Sequence, residues 1–243
     1  MKTILVFKWA RDPQDARVSV DGELVWGNAK MAASDDDPAA MAVAQALSSE
    51  DEIIALTIGN GDNVWAAARG ASKTVVVGDA LDCSDVSRTA SVLKAAIDKA
   101  GGADAIVIGD SDWNKGVVVS LIAELRIPAF AGVVAAEKVG DKCRISCKNG
   151  SVTRVIEAKP PFLLAVRGLS AEKTVPGMKQ VLQAKKKPQE KFDVADLSGV
   201  RDRAVEDMGT GLPESGAATM IDGADPNVAA HELLKALEKQ GVL

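Results

Sequence analysis

The sequence predicts an α/β protein of three layers, a mostly parallel sheet with helices on both faces, plus antiparallel edge strands and a C-terminal arm. Three observations predict it. Over residues 1–125 short β-type runs alternate with helical segments. The runs are continuously apolar, as in Thr3–Phe7, Ile53–Ile58 and Ala105–Ile108, the mark of strands covered on both sides. After Pro128 the spacing changes to that of antiparallel strands, joined at Gly140-Asp141 and Asn149-Gly150.

Taken in order, Thr3–Phe7 is the first buried strand. Arg17–Val20 and Leu24–Trp26 flank Asp21-Gly22, a hairpin signal. Asp36-Asp37-Pro38 starts a helix running to about Ser48, with carboxylates at its positive end and proline in its first turn. Strand Ile53–Ile58 ends at Gly59-Asn60-Gly61, a helix covers about Asp62–Arg69, and strand Thr74–Val77 follows. The helix Ser84–Ala100 carries Val86, Ala90, Leu93 and Ile97 at helical spacing and stops at Gly101-Gly102. Ala105–Ile108 is a strand, and about Asn114–Leu125 a helix. Phe130–Val139, Cys143–Cys147, Val152–Ala158 and Phe162–Val166 read as antiparallel strands that extend or edge the sheet. Residues 189–227 lose periodicity and gain Gly, Asp and Pro, the composition of an arm, and Val228–Gln240 regains a helical pattern. The expected organisation is one domain over 1–188, including a loop at 172–188, and an extended arm with a terminal helix over 189–243.

Composition excludes several functions. Lys plus Arg total 29 against 34 Asp plus Glu, a net charge of −5, and no basic stripe is present, so nucleic acid is not the expected partner. No apolar run approaches the roughly 18–20 residues that insertion into a membrane requires. Met1–Lys8 reads as a strand rather than a signal peptide, so the expected location is cytoplasmic. The three cysteines (Cys83, Cys143, Cys147) and the single His231 do not make a zinc site, and Cys143 and Cys147 share one strand face as buried or half-buried thiols. A Ser-His-Asp triad would have to borrow His231 from the terminal helix. No catalytic constellation is legible, so none is assigned.

In an open parallel sheet, ligands sit beyond the carboxyl ends of the strands. Phe7-Lys8-Trp9, Gly59-Asn60-Gly61, Val77-Gly78-Asp79 and Gly109-Asp110-Ser111-Asp112 are four such ends. Their glycines either make tight turns or open a nucleotide-sized pocket. The P-loop and Rossmann glycine fingerprints are absent. Val175-Pro-Gly-Met178-Lys-Gln-Val-Leu182-Gln-Ala-Lys185-Lys186-Lys187 is an apolar bent loop running into a short helix and a lysine cluster. It reads as a solvated helix end or as a docking device, with Val175, Met178 and Leu182 as an apolar knob and the lysines as orienting charges.

These residues resemble a family, the β subunits of the electron transfer flavoproteins, over nearly the whole chain. Met1–Lys8 opens as they open. Asp36-Asp37-Pro38 and its alanine-rich helix are similar to the family's N-P-x-D-x-x-A segment. Asp104–Gly109, the helix to Leu125 and Ile127-Pro128 are similar to its D-x-V-x-x-G … L-x-x-P region, Met178–Pro188 resembles its recognition loop, and His231–Leu243 its last helix. The resemblance implies a heterodimer whose α subunit holds the main FAD, with this chain supporting the flavin domain and binding AMP, or a second FAD. It implies a loop that docks an acyl-CoA dehydrogenase or related flavoenzyme, with Met178 at the anchor position. The implied nucleotide residues are Phe7, Lys8, Trp9, Asp36, Gly59, Asn60, Gly109, Asp110, Asn114, Lys115, Gly116 and Val117. The sequence departs from the pattern twice. The loop after Gly109 is shorter and lacks the family's glutamine, and an aspartate, Asp36 or Asp37, replaces the asparagine before Pro38. The alternative reading is a stand-alone nucleotide-binding protein or hydrolase of the adenine-nucleotide α-hydrolase type, which shares this sheet.

Overall fold

The computed structural model describes residues 1–48, 52–59, 63–78, 85–168, 175–206, 208–213 and 218–242. Its strands are β1 (Thr3–Val6), β2 (Trp9–Arg11), β3 (Arg17–Val18), β4 (Leu24–Val25), β5 (Met31–Ala33), β6 (Ile53–Ile58), β7 (Lys73–Val77), β8 (Ala105–Gly109), β9 (Ala129–Val139), β10 (Lys142–Asn149), β11 (Val152–Ala158), β12 (Phe162–Val166) and β13 (Gln189–Phe192). The helices are α1 (Asp37–Leu47), α2 (Asn63–Ala67), α3 (Val86–Lys99), α4 (Val117–Leu125), α5 (Met178–Ala184) and α6 (Pro226–Lys239). They fall into two units: Met1–Arg17 with Leu24–Met208, and Val18–Glu23 with Gly209–Leu243.

The first unit is built on one nine-stranded sheet, ordered β11-β10-β9-β12-β8-β1-β6-β7-β13. Strands β9, β12, β8, β1, β6, β7 and β13 run parallel, while β10 is antiparallel to both β9 and β11. Side chains alternate along each strand, so the sheet has two apolar faces. Ile4, Val6, Leu56, Val75 and Ile108 pack against Val92, Leu93 and Ala96 of α3 and Leu121 of α4. On the opposite face Leu5, Ala55, Val107, Phe162 and Leu164 meet Ala40, Met41 and Ala44 of α1. The small residues of α1 let it lie close to the strands, and the continuous apolar runs are explained because both faces are dry.

Three features differ from the expectation. Phe162–Val166 does not edge the sheet. It lies parallel between β8 and β9, and all five of its residues are buried. Its unbroken apolar run is the signature of such a central strand. Gln189–Phe192, expected to begin an arm, forms β13 beside β7, where Lys191 stays exposed and Phe192 is buried. A half-polar edge strand of four residues has too few apolar positions to show a period. The short ribbon of β2 with β5, likewise unanticipated, brackets the segment between β1 and α1. Cys143 and Cys147 do share a face, buried and half-buried, and burial pushes both thiols up. Cys83 and the turn at Asp79 lie outside the described residues.

Residues 200–206 run over α3 and α4. Arg201 donates to Ser91 Oγ from its backbone (3.0 Å) and pairs with Glu124 (2.7 Å). Asp85 caps α3 by accepting from Arg88 N, and its second oxygen accepts from Ala204 N at 2.7 Å.

In the second unit, Gly22 turns the hairpin at φ +83°, and a Cβ there would lie 2.4 Å from Leu212 N. Helix α6 is capped by Asp225, which accepts from Asn227 N and Val228 N. None of its residues is buried; Val228, Leu233 and Leu234 are about half exposed.

Candidate functional site

The strand β1 has β6 on one side and β8 on the other, so the chain leaves it in opposite directions. That divergence opens a crevice beyond the carboxyl ends of the strands. A small cleft lies there, lined by Val6, Phe7, Lys8, Asp37, Ile58, Thr89, Leu93, Ile108 and Val117.

Two consecutive aspartates at the start of α1 hold the rim together. Asp37 is buried, and its Oδ2 accepts from Lys8 N (3.0 Å) and Ser34 N (2.9 Å), tying β1 to the segment before α1. Asp36 Oδ1 accepts from Gly168 N at 2.7 Å, which fastens the end of β12 to the same turn. Burial raises the Asp37 carboxyl to about 7, against the opposing pull of its hydrogen bonds. Burial also raises Asp36, opposed by Gly168 N–H and by Arg167. Arg167 stands 4.0 Å from Asp110.

Of the residues expected at the site, Phe7, Lys8 and Val117 line the cleft. Phe7 stacks on Trp65 of α2 at 5.2 Å, and Lys8 Nζ donates to Trp113 O at 2.9 Å, which ties β1 to the loop after β8. Trp9, half-buried, opens β2. Gly59 follows β6 at φ +86°, with nothing within 4 Å of where a Cβ would be. Gly116, at φ +86°, precedes α4 without a side-chain cap, so the first N–H groups of that helix are left for a ligand or water. Lys115 is exposed and 3.6 Å from Asp112. Asn60 lies outside the described residues, as does the Asn114 side chain. Asp36 and Asp110 face Gly168 and Arg167 rather than the cleft.

Sequence reasoning did not single out Asp37 over Asp36, nor Ile58, Thr89 and Leu93. Thr89 and Leu93, four apart on α3, share a face, which was the available signal. The choice between the aspartates had none, because it rests on the angle at which α1 meets β1.

Gly109 shows how tightly the rim is built: a Cβ there would sit 2.9 Å from Asp37 Oδ1 and 3.1 Å from the Asp36 carbonyl carbon. Gly109→Ala is expected to push the start of α1 outward and cost about 1–3 kcal/mol in urea unfolding. An unchanged unfolding midpoint would show that the turn yields freely.

Fold and cleft together define an α/β sheet protein with a crevice at the switch point of its sheet. A family model, that of the electron transfer flavoprotein domain, matches residues 27–197 of the 243. The chain belongs to this family, whose members are flavin-associated electron carriers. Among the described residues no helix is long and apolar enough to cross a membrane.

Proposed function

We propose that this chain is the β-type subunit of a heterodimeric electron transfer flavoprotein. It supports the flavin domain of an α subunit that holds the main FAD, and it docks acyl-CoA dehydrogenase or a related flavoenzyme through residues 175–187. The observation that carries this reading is the exposed apolar knob formed by α5 and the residues just before it. Val175 is 82% and Met178 76% exposed, Leu182 55%, and Lys185 and Lys186 are exposed beside them. A family of electron carriers needs such a surface, because apolar contact supplies affinity and the charges supply orientation. The exposed apolar side chains of α6 are the surface that we assign to the α subunit.

The cleft is assigned to AMP, or to a second FAD. The residues present fit an adenine nucleotide. Phe7 and Ile58 offer apolar walls for a base, and the free N–H groups after Gly116 suit a phosphate. Lys8 holds the loop that carries those groups through Trp113 O. FAD, when bound in the partner, supplies the redox chemistry; this chain positions and docks.

The test is co-expression with an α subunit, followed by mass spectrometry of the small molecules that denaturation releases. The expected result is a yellow heterodimer releasing FAD and AMP, or FAD alone in twofold amount. An isolated chain that is stable without a partner and hydrolyses ATP would replace this reading with that of an independent nucleotide hydrolase.

A further inference from the structure

Three successive lysines close the docking segment, and they are not equivalent. Lys185 and Lys186 are exposed, whereas Lys187 is half-buried and turned inward. Its ammonium donates to Ala67 O at 3.0 Å and to Ala71 O at 2.8 Å. Ala67 is the last residue of α2, and Ala71 lies four residues on, in the turn that leads to β7. One ammonium thus bridges two carbonyls and fastens the end of α5 to the turn between α2 and β7.

The anchoring is local and otherwise thin. Within α5 only Ala184 is buried, while Met178, Lys179, Gln180, Leu182 and Gln183 are exposed. Immediately after Lys187, Pro188 O accepts from Thr74 N at 3.1 Å, and the chain continues as β13 beside β7. The docking helix is thus cantilevered from a base formed by Ala184, Lys187 and Pro188. Helix α2, on which that base rests, is itself rooted by the Trp65–Phe7 stack at the cleft.

We infer that Lys187 is a positioning residue for docking: it locks α5 onto the end of α2 and contributes no charge to the partner. This deepens the docking role proposed above and rests on it. The knob can meet a pocket in a fixed pose only if its base is fixed, since ordering a loose segment on binding costs affinity.

The test compares Lys187→Met, Lys187→Arg and Lys186→Met in the intact heterodimer by hydrogen exchange and by the salt dependence of electron acceptance from reduced acyl-CoA dehydrogenase. Lys187→Met is expected to speed exchange at residues 178–186 about fivefold, the scale of one lost hydrogen-bonded contact. It should slow electron acceptance without altering its salt dependence. Lys187→Arg, which keeps a cation within reach of the carbonyls, should recover most of the protection. Lys186→Met should leave exchange unchanged and flatten the salt dependence, as a steering charge does. Unchanged exchange in Lys187→Met, or a salt response matching that of Lys186→Met, overturns the assignment. Faster exchange in Lys187→Met with no variant affecting electron acceptance supports the anchoring and overturns docking by this segment.

Discussion

Replacing Val175 and Met178 together by serine should lower kcat/KM for electron acceptance from acyl-CoA dehydrogenase by about 10–100-fold, the scale of losing an interface anchor. The melting temperature of the heterodimer should not move. Both side chains are more than three-quarters exposed and pack on nothing that folding needs, so their removal costs the free protein little. In a complex the same exposure becomes the gain, because an apolar side chain entering a pocket is desolvated there for the first time. Leu182, four residues beyond Met178 on α5, lies on the same helical face and extends the knob. Single variants should separate an anchor from its surroundings. If Met178 holds the anchor position, Met178→Ala alone reproduces most of the loss and Val175→Ala little of it. Wild-type electron transfer in the double variant would remove this segment from the docking surface.

The second large effect is a pH dependence of stability centred on Asp37. The carboxyl titrates near its ordinary 3.8 in the unfolded chain and at about 7 in the folded one. Between those values the folded protein holds a proton that the unfolded protein lacks, so stability falls as pH rises. The slope is about 1.4 kcal/mol per pH unit. The unfolding free energy from urea titration should therefore drop by about 2–3 kcal/mol between pH 5 and pH 7 and level off above pH 7. Asp37→Asn should flatten that profile and raise stability at pH 8. Its amide oxygen can still accept from Lys8 N and Ser34 N, and no charge is buried. Asp37→Ala should instead destabilise at every pH, since two inward N–H groups lose their partner at about 1–3 kcal/mol each. A profile for Asp37→Asn parallel to that of the wild type would place the titrating group elsewhere.

Residue by residue, the fold was legible where one face or both faces of an element are dry. The runs Thr3–Val6, Ile53–Ile58 and Ala105–Gly109 announced central parallel strands, and the apolar positions of α3 announced a helix against them. The segment Phe162–Val166 carried the same signature, yet its neighbours in sequence, a meander of β9, β10 and β11, suggested an edge. Its place between β8 and β9 is a pairing across some 50 residues of chain, which local pattern does not encode. The site divides in the same way. Gly116 before α4 and Phe7-Lys8 after β1 were readable as turn and strand-end chemistry. The assignment of Asp37 to the cleft and Asp36 to Gly168 depends on where α1 crosses the sheet.

Lys187 makes the distinction sharpest. By itself the sequence determined an α/β chain of the electron carrier family, a row of glycine-bearing strand ends, and a bent apolar segment closed by three lysines. Only the tertiary structure decided which lysine turns inward, which aspartate is buried, and that β13 ties the lysine-rich segment to the sheet. The physical reason is that periodicity reports whether a residue meets water or protein, whereas the partner of a hydrogen bond depends on chain segments that meet only after folding.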